Sequence, residues 1–269
     1  MKTFTKIDLA IALKKIGVKK NSTILVHAGL NYIGKMQNID NNLIPQKTFE
    51  ILMKCVGKKG TVLFPAFFND YSKKNKTFNL FKSPPCKSLG VLPEFVFKNI
   101  KFKRSKNPLN SLMGVGKNAK YICDKSNFSD YGEGSAWQKL YKSNSELIFL
   151  GVPLFRAMTF IHFIEFNVGV PHMYIKKFNT NIVYNKKIIS KGVNCYVRYR
   201  NFDVNVNQKK FERELIKKKI LKICNLGSGK ICSVNMKKTF ELGVKKLSDN
   251  PFFFLDKKPR FKRNLIPLI

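Results

Sequence analysis

The chain has 269 residues, 44% of them hydrophobic, so it can bury the core of one large domain or two small ones, and extensive disorder is excluded. The formal net charge is +35, but only 7 of the 51 basic residues are Arg, and Asn, Ile and Phe are abundant, a bias that an AT-rich genome imposes on any protein. A solvated lysine surface is therefore favoured over a dedicated nucleic-acid surface, and anionic ligands are favoured over polycationic ones.

The cysteine and apolar patterns set further limits. Six Cys residues occur without a C-x-x-C pair, and the three His residues are not clustered with them, so the sequence predicts neither a zinc site nor a redox motif. No uncharged apolar stretch reaches about 18 residues, and the first residues lack the continuous apolar segment of a signal peptide. We therefore expect a cytoplasmic protein with reduced thiols and no membrane insertion.

The first part of the chain alternates helical and strand patterns. Thr5 and Asp8 have the spacing of a capping box, and Gly17 stands where a left-handed C-cap would end the helix that they begin. The apolar positions of this helix are Ile7, Leu9, Ile11, Leu13 and Ile16. The next segments are a buried strand over 23–27, a helix over 45–56 and a buried strand over 61–67, which indicates an α/β region.

The remaining segments are less regular. A polar loop over 69–87 is followed by a short helix over 89–97, a central strand over 146–152 and a helix over 159–167 capped by Thr159. Segments 180–189 and 193–199 have the pattern of antiparallel strands. Helices are predicted over 208–223 and 234–247, and a basic, mobile tail covers 257–263.

His162 and Glu165 are the first candidates for chemistry. They lie three residues apart on the predicted helix 159–167, so their side chains leave the same face and can touch. In the first turn the helix dipole disfavours a charged imidazole whereas Glu165 favours it, and a His balanced in this way suits a general base. The spacing leaves two interpretations open: a catalytic pair, or a core His with an ion-pair partner.

Other segments are candidates for ligand contacts. His27 ends a predicted strand beside Gly29, a position that faces the ligand crevice of an open α/β sheet, although a hydrogen-bonded structural His would look the same. Residues 104–108 (R-S-K-N-P) combine a bidentate anion binder, a hydroxyl and a second cation. This composition suits a phosphate site, but an ordinary solvated loop would look the same. Residues 132–135 (G-E-G-S) allow close approach of a ligand to the backbone. His172 receives no role.

Taken in order, the motifs resemble the aminoglycoside 3-N-acetyltransferase family of antibiotic-modifying enzymes. They are 24–30 (I-L-V-H-A-G-L) with Gly34, 60–65 (G-T-V-L-F-P), 89–90 (L-G), 104–105 (R-S) with Pro108 and Ser111, 132–135 (G-E-G-S), 147–151 (L-I-F-L-G), 159–165 (T-F-I-H-F-I-E) and the segment 227–247. Each motif is weak alone, but their common order over about nine-tenths of the chain is specific.

The resemblance implies both a fold and a reaction. The fold is α/β, a single domain over 1–255 with a central mixed sheet flanked by helices and an antiparallel β-rich segment in the C-terminal half, followed by the basic tail 256–269. The reaction is acetyl transfer from acetyl-CoA to a small-molecule amine, without a metal. His162 would take the amine proton, and Glu165 would orient the imidazole and stabilise its charged form.

The resemblance also implies contacts with CoA. These come from His27, Ala28, Gly29, Leu30, Arg104, Ser105 and Ser111. The chain departs from the family pattern at Ala28, Ala66 and Asn107, where Ser, Thr and His are common, and the lost hydroxyls put full activity in doubt.

The acceptor and the partners remain open. In segment 199–208, Asp203 is the only acidic residue that could bind a polycation, and several basic residues surround it. This composition favours an amino sugar or a nucleotide-linked amino sugar over an aminoglycoside. The alternative is a catalytically weak CoA-binding or polyanion-binding protein of the same fold. No specific nucleic acid is expected, and the oligomeric state is open, a homodimer being one option.

Overall fold

A computed structural model describes residues 2–262 of the chain. The helices are α1 (Lys6–Lys15), α2 (Ile44–Val56), α3 (Asp70–Lys73), α4 (Val91–Asn99), α5 (Ala136–Lys142), α6 (Leu154–Ala157), α7 (Phe160–Val168), α8 (Lys209–Lys217) and α9 (Met236–Asp249). The strands are β1 (Thr3–Phe4), β2 (Thr23–Ala28), β3 (Lys35–Met36), β4 (Thr61–Pro65), β5 (Phe78–Asn79), β6 (Lys103–Arg104), β7 (Leu112–Gly116), β8 (Glu146–Leu150), β9 (Met173–Phe178), β10 (Ile182–Tyr184), β11 (Lys187–Ser190), β12 (Val193–Arg198), β13 (Lys222–Leu226) and β14 (Gly229–Asn235).

A seven-stranded mixed sheet organises the fold. Its strand order is β13-β14-β8-β2-β4-β7-β6, with β2 parallel to both β8 and β4 and the outer strands antiparallel. The carboxyl ends of the three parallel strands therefore meet at one edge. Smaller sheets pair β9 with β12, and β10 with β5 and β11.

Both faces of this sheet are buried, so its central strands are continuous apolar runs rather than alternating ones. Ile24 and Val26 pack on the face that α1, α2 and α4 cover, whereas Leu25 packs on the opposite face with the side chains of α5, α7 and α9. The alternation follows from the two-residue period of a strand. The result is a three-layer α/β domain, which confirms the predicted fold class and the antiparallel C-terminal half.

The elements with strong local signals agree with the sequence. The capping box of Thr5 and Asp8 is formed, and Gly17 has the left-handed φ of 98° expected just after the helix. Strands β2, β4 and β8 and helices α2, α4 and α7 begin and end within about two residues of the predicted bounds. Among the apolar positions of α1, Ile7 and Ile11 are exposed, because the buried face passes through Leu9, Ala12 and Leu13.

Three local predictions were wrong, and a fourth was less detailed than the structure. The helix predicted over 208–223 ends at Lys217; Lys219 has a positive φ of 56°, and β13 follows it. The β-rich segment predicted over 180–189 is an antiparallel hairpin of β10 and β11, which turns at Asn185 and Lys186, both with positive φ. The loop over 69–87 contains α3 and β5. Thr159 precedes α7, but its side chain makes no capping hydrogen bond.

The segment after Leu255 packs on the domain as far as it is described. Asp256 donates its backbone N–H to the Asn205 carbonyl, and the Phe261 ring lies 5.1 Å from that of Phe202. Arg263 of the predicted basic tail lies outside the described residues. Among residues 2–262, no helix has the length and apolar composition needed to cross a bilayer.

Candidate functional site

The predicted pair on α7 is formed, and a third residue joins it. Nδ1 of His162 lies 2.6 Å from Oε2 of Glu165, as the i, i+3 spacing requires. Nε2 of His172 lies 3.0 Å from the other oxygen, Oε1. Glu165 and His172 have no exposed surface, whereas the His162 side chain is 23% exposed. The carboxylate is therefore held between two imidazoles, of which only one faces solvent.

The ionisation of Glu165 fixes the roles of the ring nitrogens. Burial alone would raise the pKa of Glu165, but its interactions with His162 and His172 outweigh burial and lower the pKa to about 2. An ionised carboxylate only accepts hydrogen bonds, so Nδ1 of His162 and Nε2 of His172 both donate to it. In the neutral form of His162 this hydrogen bond leaves the lone pair on Nε2, which is the arrangement that a proton acceptor requires.

A second layer of contacts holds this chain of residues in place. The Tyr196 hydroxyl, on β12, lies 3.4 Å from the carbonyl oxygens of Glu165 and Val170. The backbone N–H of Tyr196 donates to buried Asp130 at 2.5 Å. Burial raises the pKa of Asp130, although the N–H groups that it accepts oppose the shift. Tyr196 thereby joins the β9–β12 pair to α7, the helix that carries His162 and Glu165.

The exposed side of His162 opens into a cavity of about 720 Å³. Its walls come from α6 and the loop before α7, the end of β12, the first residue of α8 and the segment after Leu255. The basic lining residues are Arg156, Arg198 and Lys209, and the acidic one is Asp256. A second cavity of about 570 Å³ lies between 72–77 and 176–181, and no His or carboxylate of the described residues lines it. Of these two cavities, the His162 cavity is the one that combines space with a candidate proton acceptor.

The residues predicted to bind CoA at the end of β2 lie at the carboxyl edge of the sheet. Ala28 and Gly29 are partly exposed there, whereas Leu30 is buried. The His27 ring is 6% exposed and stacks on Phe149 at 5.2 Å, and its Nε2 has no hydrogen-bond partner among the described residues. Burial lowers the pKa of His27 to about 4, so this imidazole is neutral at pH 7.

Arg104, Ser105 and Ser111 come together, but away from solvent. The Arg104 guanidinium is fully buried and donates to the carbonyls of Leu80, Ser83 and Ala66, and it lies 4.6 Å from the Phe78 ring. Burial lowers its pKa to about 9. Ser111 also donates to the Ala66 carbonyl, while the Ser105 hydroxyl accepts the N–H of Leu112.

These contacts show what the three side chains do in this structure. They join β6 and β7 to the loop after β4 and to segment 80–83, and no more than 2% of any of them is exposed. Their predicted contact with CoA requires these segments to separate, and it stays a prediction.

Two further motifs have structural roles. Ser135 caps α5 by accepting the Gln138 N–H, and the other residues of the G-E-G-S segment form the partly exposed turn that leads into this helix. Asn107, where the family pattern has His, closes a turn by accepting the N–H groups of Leu109 and Asn110.

Sequence reasoning missed His172, Arg156 and Arg198. The spacing of seven residues from Glu165 to His172 indicates a contact only when one knows that α7 ends at Val168 and that the chain then folds back. The two arginines come from distant segments, and no local motif connects them.

Comparisons with known proteins identify similar chains. Residues 25–248 match the model of the family described as aminoglycoside 3-N-acetyltransferase. An aminoglycoside N(3)-acetyltransferase III of Salmonella sp is 25% identical over 185 residues, and that match covers 62% of this chain and 62% of the relative's length. The SPbeta prophage-derived aminoglycoside N(3')-acetyltransferase-like protein YokD of Bacillus subtilis (strain 168) is 24% identical over 78% of this chain and 77% of its own length. The solved complex of AAC-IIIb with CoASH has a TM-score of 0.77 at 22% identity, over 96% of this chain and 100% of that one.

Proposed function

This chain belongs to the aminoglycoside 3-N-acetyltransferase family, as its motifs predicted, and we propose that it transfers an acetyl group from acetyl-CoA to an amine of an aminoglycoside or another amino sugar, with His162 as general base. The observation that carries the proposal is the arrangement of His162, Glu165 and His172. A buried carboxylate fixes the protonated nitrogen of His162, and the other nitrogen remains as a proton acceptor beside an open cavity.

The reaction forms a nitrogen–carbon bond, breaks a carbon–sulfur bond and moves one proton from the amine to the sulfur. The amine nitrogen attacks the thioester carbonyl carbon, the bond from that carbon to sulfur breaks, and CoA leaves as a thiol. Nε2 of His162 takes a proton from the attacking nitrogen and can return it to the departing sulfur, so the base is regenerated. The ionised Glu165 stabilises the imidazolium that exists between these two steps, because its Oε2 lies 2.6 Å from Nδ1.

His172 completes this arrangement without touching the substrates. It is fully buried and donates to the carboxylate oxygen that His162 does not use. We assign it the role of a positioning residue, which keeps the Glu165 carboxylate in the plane that suits Nδ1 of His162. The same buried hydrogen bond removes the freedom of Glu165 to rotate towards solvent.

Two observations support acetyl-CoA as the donor. A structurally similar acetyltransferase has been solved with CoASH. The partly exposed backbone of Ala28 and Gly29, at the edge where β2 and β8 end, offers a place for the pantetheine arm next to the loop that leads to His162.

A second function has its own motivation. Ala28 and Ala66 lack the hydroxyls that are common in the family, and Arg104, Ser105 and Ser111 are buried. A protein that binds CoA and does not turn it over would have the same fold. It predicts saturable binding of CoA without release of a thiol.

The test follows release of CoA from acetyl-CoA with a thiol reagent across a panel of amines. Wild type is compared with His162→Ala and His162→Gln, and thermal melts verify that both variants are folded. A loss of about 100- to 10,000-fold in kcat, the usual contribution of a general base, supports the assignment. Turnover that is indifferent to His162 overturns the assignment of the base. Binding of CoA without thiol release from any amine supports the second function.

A further inference from the structure

Arginine is scarce in this chain but occurs twice beside the candidate base. Of the 51 basic residues 7 are Arg, and Arg156 and Arg198 both line the His162 cavity. A bias towards Lys does not explain arginines at this place, because Lys serves wherever a simple positive charge is enough. A guanidinium offers paired N–H donors that match two oxygens of one phosphate, which an ammonium does not.

The two arginines are held by neighbouring groups but not neutralised. Nη1 of Arg198 donates to the Val204 carbonyl at 3.3 Å. The guanidinium of Arg156 and the ammonium of Lys209 lie 5.6 Å and 5.5 Å from the centre of the Phe155 ring. None of these three cations lies within 4 Å of a carboxylate oxygen of residues 2–262. Their charges are therefore available to a ligand.

The acidic groups near the cavity already have partners. Asp256, the acidic residue of the described lining, accepts a hydrogen bond from the Asn207 side chain. Glu212 accepts the backbone N–H of Phe155 at 3.0 Å. A polycationic acceptor would meet three cations and one engaged carboxylate, which is unfavourable, whereas an anionic acceptor is complementary to the same wall.

We propose that the amine acceptor is a phosphorylated amino sugar, whose phosphate is bound by Arg156 and Arg198 while its amine faces Nε2 of His162. This inference rests on the proposed acetyl transfer and names the acceptor class for it. Lys209 lines the same cavity and adds a third positive charge. The acetyl-transfer chemistry is unchanged, since the phosphate only orients the acceptor.

Acetyl-CoA also contains phosphates, so the same arginines could serve the donor instead. The two assignments are separable with S-acetylpantetheine, a donor that lacks the nucleotide and its phosphates. If the arginines bind the acceptor, their loss affects the reactions of both donors to the same extent. If they bind CoA, their loss raises the KM for acetyl-CoA and leaves the KM for S-acetylpantetheine unchanged.

The experiment measures kcat and KM for glucosamine 6-phosphate, glucosamine 1-phosphate, unmodified glucosamine and kanamycin. The variants are Arg156→Ala, Arg198→Ala and Arg198→Lys. Arg200→Ala is the matched control, because it removes the same charge two residues from Arg198 at an exposed position outside the cavity lining.

We expect a phosphorylated acceptor to have a KM about 10-fold or more below that of glucosamine, as charge-assisted hydrogen bonds imply. Each Ala variant raises that KM by about 10- to 100-fold and leaves the KM for glucosamine and for acetyl-CoA within about 2-fold. Arg198→Lys gives an intermediate value, and Arg200→Ala behaves as wild type. A preference for glucosamine or kanamycin, or an effect confined to acetyl-CoA, overturns the inference.

Failure of the inference and failure of the proposed function are distinguishable. If glucosamine is acetylated as well as its phosphates, the acetyl transfer stands and the phosphate site does not. If no amine is acetylated, the proposed function fails, and calorimetric titration of glucosamine 6-phosphate then decides on the site. Saturable binding that Arg198→Ala abolishes supports the site, whereas absence of binding to wild type overturns it.

Discussion

Replacing His172 by Leu is expected to lower both the stability of the protein and its turnover. The substitution removes the Nε2–H donor that lies 3.0 Å from Oε1 of Glu165 and keeps an apolar side chain in its place. Glu165 has no exposed surface, so water cannot replace the lost donor. A buried charged acceptor that loses a partner costs about 3 kcal/mol of unfolding free energy. For a chain of this size that cost corresponds to a fall in Tm of about 6–12 °C.

The effect on turnover follows from the same contact. Without the donor from His172, the Glu165 carboxylate is no longer fixed in the orientation that serves Nδ1 of His162. We expect kcat to fall about 10-fold, which is about 1.4 kcal/mol of transition-state stabilisation. The KM values for acetyl-CoA and for the amine stay unchanged, because His172 is buried and contacts neither. The assay is thiol release under saturating conditions, combined with a thermal melt.

His172→Gln is the matched control. Its side-chain amide nitrogen can occupy the place of Nε2 and donate to Glu165, so we expect most of the lost Tm to return and kcat to lie within about 3-fold of wild type. Wild-type kcat in His172→Leu refutes the reasoning. Equal losses in the two variants also refute it, because the donor would then be irrelevant.

Three further predictions concern other buried groups. Glu165→Gln keeps the shape but not the charge, so we expect kcat to fall about 10- to 100-fold, less than in His162→Ala, by thiol release; an unchanged kcat would show that the charge has no role. The folded-state pKa of His27, about 4, lies below its unfolded value of 6.5, so the unfolded chain takes up the proton first on acidification. The stabilisation that this pKa difference gives to the folded state is complete above pH 6.5 and is lost as the pH falls to about 4. We expect the unfolding free energy measured in denaturant titrations to fall by about 3 kcal/mol over this range. His27→Phe should remove that part of the pH dependence, and equal slopes in the two proteins contradict the prediction. Arg104→Met removes the side-chain donor of the Leu80 and Ser83 carbonyls and one of the two donors of the Ala66 carbonyl, and we expect a loss of about 3–5 kcal/mol in unfolding free energy with an unchanged KM for acetyl-CoA. A raised KM for acetyl-CoA without a loss of stability would instead support the contact of Arg104 with CoA that the sequence predicted.

Local signals in the sequence predicted the elements that depend on local contacts. The capping box of Thr5 and Asp8, the glycine after α1 and the apolar runs of β2, β4 and β8 act over a few residues, and the structure agrees with them. The errors concern segments in which tertiary pairing overrides the local pattern. The helix predicted over 208–223 overlaps the start of Lys222–Leu226, but this segment is a strand because it pairs with β14 at the edge of the main sheet.

The predictions about the candidate site also divide into those that depend on local spacing and those that depend on tertiary packing. The i, i+3 spacing of His162 and Glu165 on one helix made their contact predictable, and the order of the motifs indicated the family. The sequence made Arg104 a candidate for an anion site because Arg suits phosphate, and in this structure the hairpin of β6 and β7 buries it under the loop after β4. Its burial depends on tertiary packing, which the residue type alone does not predict.

The sequence by itself determined the α/β class, the main strands and the pairing of His162 with Glu165, since each depends on periodicity or on spacing within one element. Only the tertiary structure decided that His172 holds the second oxygen of Glu165 and that Arg156 and Arg198 line one cavity. The physical reason is that these contacts join segments brought together by the return of the chain after α7 and by the packing of β12 and α8. Such contacts form only when the whole core packs, so no short segment of the sequence predicts them.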